Sequence, residues 1–320
     1  MSEPEAILVC RRLLPAGTDP LGKAGYELRE GGLEATRERL LELAPGCAAI
    51  VADPSVPVDA ELLDAAGPGL RVVANFAVGY DNVDVGACRE RGVTVTNTPG
   101  VLTNATAELA LALTTAAARR VGEAAADLRS GRWDGWDPAA YLGLELSGAT
   151  FGIVGLGRIG TRYAELVRPL AGELLYVARS PKPESERSLG AVGVELDELL
   201  ERADVVSLHA PASSDTHHLI GPRELDAMGS DAVLVNTARG PLVDSAALAR
   251  ALESGALGAA GLDVYEDEPN VPEELMRAPR CVLLPHIGSA TRTARDGMAS
   301  LVAQNVLAVL SGDPPPNPVA

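Results

Sequence analysis

Short apolar runs separated by longer segments of helical spacing recur along the whole of this 320-residue chain. Strands are expected at Ala6–Cys10, Ala48–Ala52, Arg71–Asn75 and Thr94–Asn97. A second set follows at Thr150–Val154, Leu174–Ala178, Val205–Leu208, Ala232–Asn236, Ala259–Leu262 and Val282–Leu284. Helix-like intervals such as Arg158–Leu170, Leu196–Glu201, Ala246–Glu253 and Ala290–Leu310 lie between or after them. A strand that is apolar on both faces must be covered on both, and helices between such strands mean parallel sheets. The fold class is therefore α/β. The length suits about two domains, and 47% hydrophobic against 22% charged residues excludes a disordered or fibrous chain.

The position of one turn sets the domain plan. Gly155-Leu-Gly157-Arg-Ile-Gly160 falls near mid-chain, with a full set of βα units before it. Those earlier units must form a lobe of their own, and the last helix, Ala290–Leu310, can return to it. The expected plan is two Rossmann-like or flavodoxin-like parallel-sheet lobes, residues 99–285 being inserted between 1–98 and 286–320. The crossings would lie near Pro99 and Pro285, and the Asp313-Pro-Pro-Pro-Asn-Pro tail cannot extend a helix.

Charge and cysteine usage narrow the partners. With 27 basic and 44 acidic residues the net charge is −17, so nucleic acid and acidic membranes are not expected partners. Cys10, Cys47, Cys88 and Cys281 are scattered without metal-ligand spacing, so they read as buried thiols of a reduced compartment and no metal is expected. Met1-Ser-Glu-Pro-Glu carries acid where a secretory signal needs base, and Val101–Ala118 is too polar for a membrane span. A cytoplasmic protein is expected.

A strand, then G-x-G-x-x-G, then an amphipathic helix makes a dinucleotide site. Gly155 would permit the tight turn, Gly157 the approach of a pyrophosphate, and Gly160 the packing of helix on strand. An NAD site wants an acid at the end of the next strand. Here Ala178 is followed by Arg179, Ser180 and Lys182. That set suits a 2′-phosphate, so NADP is favoured with NAD possible; the alternative is a solvated loop. His209, at the end of its strand, lines either the adenosine side or a packed loop.

Further candidates lie at other strand ends. Arg239, in Ala-Arg-Gly-Pro, is a cation beside an apolar strand and needs an anionic partner. Asp263, directly after Ala259–Leu262, should face the cofactor, whereas the acids after it suit a solvated loop. His286 follows the Cys281–Pro285 run at the expected crossing between lobes, as catalyst or as structural histidine. His217 and His218 lie in a polar connection and read as surface or helix-entry residues.

Together these strings resemble the D-isomer-specific 2-hydroxyacid dehydrogenase family, most closely its glyoxylate/hydroxypyruvate reductase branch, over essentially the whole chain. The resemblance rests on six ordered motifs: Ala77-Val-Gly-Tyr-Asp-Asn-Val-Asp84, Asn97–Glu108, Gly155–Gly160, Asn236-Thr-Ala-Arg-Gly240, Gly261–Pro269 and Pro285-His-Ile-Gly-Ser-Ala-Thr291. It implies that 1–98 plus 286–320 is the substrate-binding lobe and 99–285 the dinucleotide-binding one. It implies that Arg239 holds the substrate carboxylate and carbonyl, that His286 is the acid/base, and that Glu268 hydrogen-bonds that imidazole. Backbone amides at Val78 and Gly79 would take the carboxylate of a small 2-keto acid. Thr103, Leu156, Gly157, Arg158, Ile159, Pro211, Thr237, Ala238, Asp263 and Gly288 would contact the cofactor. A homodimer built on the long helix from Val101 is implied, with Trp136 reaching the partner's pocket; ordinary packing is the alternative for both tryptophans. Pro54 stands where that branch often has a larger aliphatic residue, which affects substrate range.

The implied activity is NADP(H)-preferring reduction of glyoxylate or hydroxypyruvate. The alternatives are another such dehydrogenase, for instance of phosphoglycerate, and a non-catalytic corepressor-like nucleotide sensor. The end at Ala320 leaves no room for the regulatory domain common in phosphoglycerate dehydrogenases, and no basic patch or extra peptide-binding segment points to the sensor.

Overall fold

The computed structural model describes residues 5–319, so the acidic start, Met1–Pro4, lies outside the described residues. The chain divides into two compact units, Met1–Leu102 with Ser289–Ala320, and Thr103–Gly288. Each boundary falls a few residues beyond the expected proline. The cause is local. Thr103 opens a helix whose buried face belongs to the second unit, and Gly288 is tied to that unit by its backbone hydrogen bonds to Asp263 and Thr106.

The first unit holds β1 (Ala6–Val9), β2 (Glu27–Glu30), β3 (Cys47–Ala52), β4 (Val72–Asn75) and β5 (Thr94–Thr96). All pairs are parallel, in the order β2-β1-β3-β4-β5. β1, β3 and β4 are buried along their whole length, as continuous apolar runs require. β2 has no such run. Its Glu-Leu-Arg-Glu sequence lies on the sheet edge, half exposed, where no apolar pattern is demanded. Helices Pro15–Lys23 and Arg292–Ser311 pack against each other, and the latter also covers β3 and β4. Asp59 and Asp84 cap helices Ala60–Ala66 and Val85–Glu90 by accepting from Leu62 N (3.1 Å) and Ala87 N (2.8 Å).

The second unit holds β6 (Thr150–Val154), β7 (Glu173–Val177), β8 (Val192–Gly193), β9 (Val205–Leu208), β10 (Val233–Asn236), β11 (Ala259–Leu262) and β12 (Cys281–Leu283). The sheet is again all parallel, in the order β12-β11-β10-β9-β6-β7-β8. The chain runs outward from β6 to β8, then returns to β9 on the other side of β6. β8, two exposed residues at the edge, left no apolar signature in the sequence. Helix Thr103–Ala118 packs on helix Arg158–Val167 and on β10 and β11, and Thr114 Oγ1 meets the buried Tyr163 hydroxyl at 2.8 Å.

The helix that follows, Val121–Arg129, has no fully buried residue. Five of the ten large apolar side chains left exposed among the described residues lie between 121 and 142: Val121, Leu128, Trp133, Trp136 and Leu142. Trp136 is 83% exposed, so packing within this chain does not account for it. Among the described residues, no helix is long and apolar enough to cross a membrane.

Candidate active site

β6 and β9 are neighbours at the point where strand order reverses, and a doubly wound sheet binds ligands at the carboxyl ends of such a pair. Gly155, directly after β6, has φ +97°, and a Cβ there would stand 2.6 Å from Ala210 N. Both the dihedral and the contact demand glycine. At Gly160 a Cβ would lie 2.2 Å from the Gly155 carbonyl oxygen, so the helix could not pack this closely on the turn. Gly157 differs: it begins helix Arg158–Val167 with no side-chain cap, and a Cβ on it would meet nothing within 4 Å. The first N–H groups of that helix are thus available to an outside anion. Gly157 and Arg158 are exposed and Ile159 partly buried, but the Leu156 side chain is buried in the core, leaving only its backbone for a ligand.

His209 lies beneath this turn. Its N–H donates to Val154 O at 2.7 Å, Nε2 meets Ser207 Oγ at 2.9 Å, and its ring centroid is 5.1 Å from that of Tyr163. Burial of the ring pushes its pKa down to about 3, so the imidazole is neutral, while the residue as a whole is only partly buried at the end of β9. Arg179 and Ser180 are exposed just past β7. Lys182 donates its backbone N–H to the Tyr176 hydroxyl at 2.9 Å. Pro211 is exposed after β9, its carbonyl accepting from Thr216 Oγ1 at 2.8 Å. Thr103 is partly buried at the start of its helix.

β10, β11 and β12 are adjacent, and their carboxyl ends bring together residues far apart in sequence. After β10, the Asn236 side chain pins the turn by donating to Arg239 O (2.8 Å) and accepting from Ala238 N (3.0 Å). Thr237 is buried there with no hydrogen-bond partner for Oγ1 among the described residues, a polar atom that a ligand could satisfy. Arg239 Nη1 donates to Ala238 O at 2.8 Å. The turn lies against the loop after β11: a Cβ on Gly240 would come within 1.9 Å of the Tyr265 carbonyl carbon. That approach puts the guanidinium within electrostatic reach of Glu268.

Glu268 Oε2 lies 2.6 Å from His286 Nδ1, and Oε1 accepts from Tyr265 N at 3.0 Å. Burial would raise this carboxyl, but the His286 hydrogen bond and charge, the Tyr265 amide and Arg239 more than offset it, so its pKa is lowered. His286 has φ +53°, a left-handed conformation that a residue with a Cβ adopts only when its surroundings impose it. Asp263 imposes it. Its carboxylate accepts from Ile287 N and Gly288 N, both at 2.7 Å, and Thr106 Oγ1 donates to Gly288 O at 3.2 Å. Asp263, expected to face the cofactor, is 1% exposed and has both oxygens bound to the backbone that carries His286. Burial raises its carboxyl pKa against the pull of those amides and of His286.

The NAD binding domain of the D-isomer specific 2-hydroxyacid dehydrogenases matches residues 111–288. A glyoxylate reductase of Thermococcus litoralis is 49% identical over 282 residues, covering 87% of this chain and 85% of its own. This chain belongs to the D-isomer-specific 2-hydroxyacid dehydrogenases. A Thermus thermophilus protein of 46% identity superposes with a TM-score of 0.92 over 98% of this chain and 100% of that one. The NADPH-dependent glyoxylate/hydroxypyruvate reductase of Sinorhizobium meliloti, in complex with NADP and malonate, is 35% identical with a TM-score of 0.85 over 99% and 97%. The dehydrogenase uses a nicotinamide dinucleotide and a small keto or hydroxy acid. Its glycine turn, uncapped helix start and unpartnered Thr237 hydroxyl fit such a cofactor.

Sequence reasoning missed several parts of the dehydrogenase's site. Asn236 lay inside a recognised motif, but its role as a staple depends on a turn geometry that the string does not reveal. Tyr265, which orients Glu268 through its N–H, is indistinguishable in sequence from a core aromatic. His218 is not a free surface residue: Nε2 lies 2.5 Å from Glu266 Oε1, while Glu266 Oε2 accepts from Ser245 N at 3.0 Å. His217, His218 and Glu266 have donor atoms within 4.8 Å of one another. The 2.5 Å pair is hydrogen-bonded, however, and two ligands of one ion at about 2.0–2.2 Å would stand farther apart. In the first unit, Pro54 is exposed after β3, and Val78 and Gly79 are partly buried after β4.

Proposed function

We propose that this dehydrogenase reduces glyoxylate and hydroxypyruvate to their 2-hydroxy acids, preferring NADPH and accepting NADH. The observation that carries the reading is the 2.6 Å His286–Glu268 contact beside Arg239 on three adjacent strand ends. The bound dinucleotide supplies the hydride. Arg239 holds the substrate carboxylate and polarises the carbonyl, and Val78 and Gly79 have backbone amides suited to a carboxylate. His286, its Nδ1 occupied by Glu268, uses Nε2 to protonate the oxygen as the carbonyl carbon is reduced. Glu268 holds the ring through Nδ1 and so fixes which nitrogen faces the substrate. Asp263 keeps the imidazole presented. Thr103, the 155–160 turn, Pro211, Thr237, Ala238 and Gly288 form the dinucleotide site, and Pro54 borders the substrate pocket.

NADPH preference rests on Arg179, Ser180 and Lys182 after β7, where an NAD site carries an acid. The activities named for the Thermococcus and Sinorhizobium relatives support the same reading. The apolar side chains exposed over 121–142 support a homodimer with Trp136 directed to the partner's pocket. Four free cysteines suit a reducing cytoplasm.

The test is NADPH oxidation with glyoxylate, hydroxypyruvate, pyruvate and bulkier 2-keto acids. His286→Gln is expected to abolish turnover while leaving NADPH binding intact. Retained turnover would reject the assigned role.

A further inference from the structure

After β4 the chain makes a loop in which four consecutive carbonyls, those of residues 77–80, are tied back to the protein. Ala77 O accepts from Thr98 N at 2.9 Å, Val78 O from Asn97 Nδ2 at 2.8 Å, Gly79 O from Asn75 Nδ2 at 2.8 Å, and Tyr80 O from Val83 N at 3.0 Å. Across a planar trans peptide the C=O and the next residue's N–H point in opposite directions. With the carbonyls of 77, 78 and 79 turned inward, the amides of Val78, Gly79 and Tyr80 are turned outward. None of these three N–H groups has a hydrogen-bond partner among the described residues. Three consecutive amides directed away from their own protein form a cradle for an anion.

Two of the four ties come from asparagine side chains, and these are held in turn. Asn75 is fully buried and exchanges hydrogen bonds with Asn82 (3.0 and 3.2 Å). Asn82 Nδ2 also donates to Asp53 O (2.9 Å) and Val56 O (3.0 Å), the loop containing Pro54. Asn97 is fixed by Asn305 Nδ2, which donates to its carbonyl at 3.2 Å. An amide side chain suits the task because its NH2 donates to a carbonyl at any pH and carries no charge to oppose an anion.

We propose that Asn75 and Asn97 are positioning residues that hold the amides of Val78, Gly79 and Tyr80 as a carboxylate-specific cradle, with Tyr80 N–H a third donor. Asn82 couples this cradle to the loop that borders the substrate. The proposal rests on the keto-acid reading given above and refines it.

The test compares glyoxylate with neutral glyoxylamide in the wild type and in Asn97→Ala. The variant is expected to raise KM for glyoxylate about tenfold or more, while parameters for glyoxylamide and KM for NADPH stay near wild type. Equal losses for both substrates, or none, would overturn the proposal. In the wild type labelled with 15N at valine, glycine and tyrosine, adding oxalate should shift the Val78, Gly79 and Tyr80 amides. Unmoved amides would overturn it even if Asn97→Ala did not fold. A wild type that reduced no 2-keto acid would defeat the functional reading, while the oxalate measurement would still judge the cradle.

Discussion

Glu268→Gln isolates the contribution of one negative charge. The native carboxylate makes two hydrogen bonds, Oε2 to His286 Nδ1 at 2.6 Å and Oε1 from Tyr265 N at 3.0 Å. Glutamine has one carbonyl oxygen and cannot accept from both. A charge-assisted hydrogen bond contributes roughly 1.5–3 kcal/mol. The two side chains are 34% and 32% exposed, so solvent screening places this pair near the lower end. The variant leaves the imidazole without the full hydrogen bond that fixes its tautomer and orientation, so about 1.5–2 kcal/mol should appear as a fall of roughly ten- to thirtyfold in kcat/KM for glyoxylate, with KM for NADPH unchanged. A kcat/KM within about twofold of wild type would refute the reasoning. Stability carries a second sign. The folded-state pKa of Glu268 is lowered, so its stabilising contribution is present above the ordinary carboxyl range and lost as pH falls through the lowered value. The variant should lack that acid-side loss in urea titrations.

Gly240→Ala places a methyl within 1.9 Å of the Tyr265 carbonyl carbon, a contact between two backbones that neither can yield cheaply. A loss of roughly 1–3 kcal/mol in stability with a fall in kcat is expected; unchanged Tm and turnover would show that the two loops can separate freely. Arg179→Asp should shift the NADPH-to-NADH preference by roughly ten- to a hundredfold toward NADH; an unchanged ratio of kcat/KM values removes Arg179 from cofactor choice. His209 has its folded pKa lowered to about 3, so between the usual histidine range and that value only the unfolded chain gains the proton. Its contribution should therefore fall by about 1–2 kcal/mol on going from pH 7 to pH 5, measured as a urea midpoint, and His209→Gln should flatten that slope.

What could be read from the string and what could not divide along a physical line. β1, β3, β4, β6, β9, β10 and β11 are buried on both faces and therefore mostly apolar, with Asn75, Thr150, Ser207 and Asn236 the exceptions, so composition largely marks them. β2 and β8 lie at sheet edges, where water satisfies one side and nothing forces a pattern. The same distinction separates the site residues. Gly155 carries a conformational demand that glycine alone meets, and the demand is written in the sequence as a motif. Asp263 carries an orienting demand, that of holding His286 at φ +53° through the Ile287 and Gly288 amides, and a carboxylate after a strand looks the same whether it faces a ligand or a backbone. Position narrowed its surroundings but not the direction of its side chain. Asn75, Asn97 and Asn236 extend the point: each acts by turning a carbonyl inward, an effect that exists only once the loop has folded. A residue that binds through its own side chain tends to be visible in a motif, whereas a residue that aims another's backbone becomes visible only when its hydrogen bonds are traced.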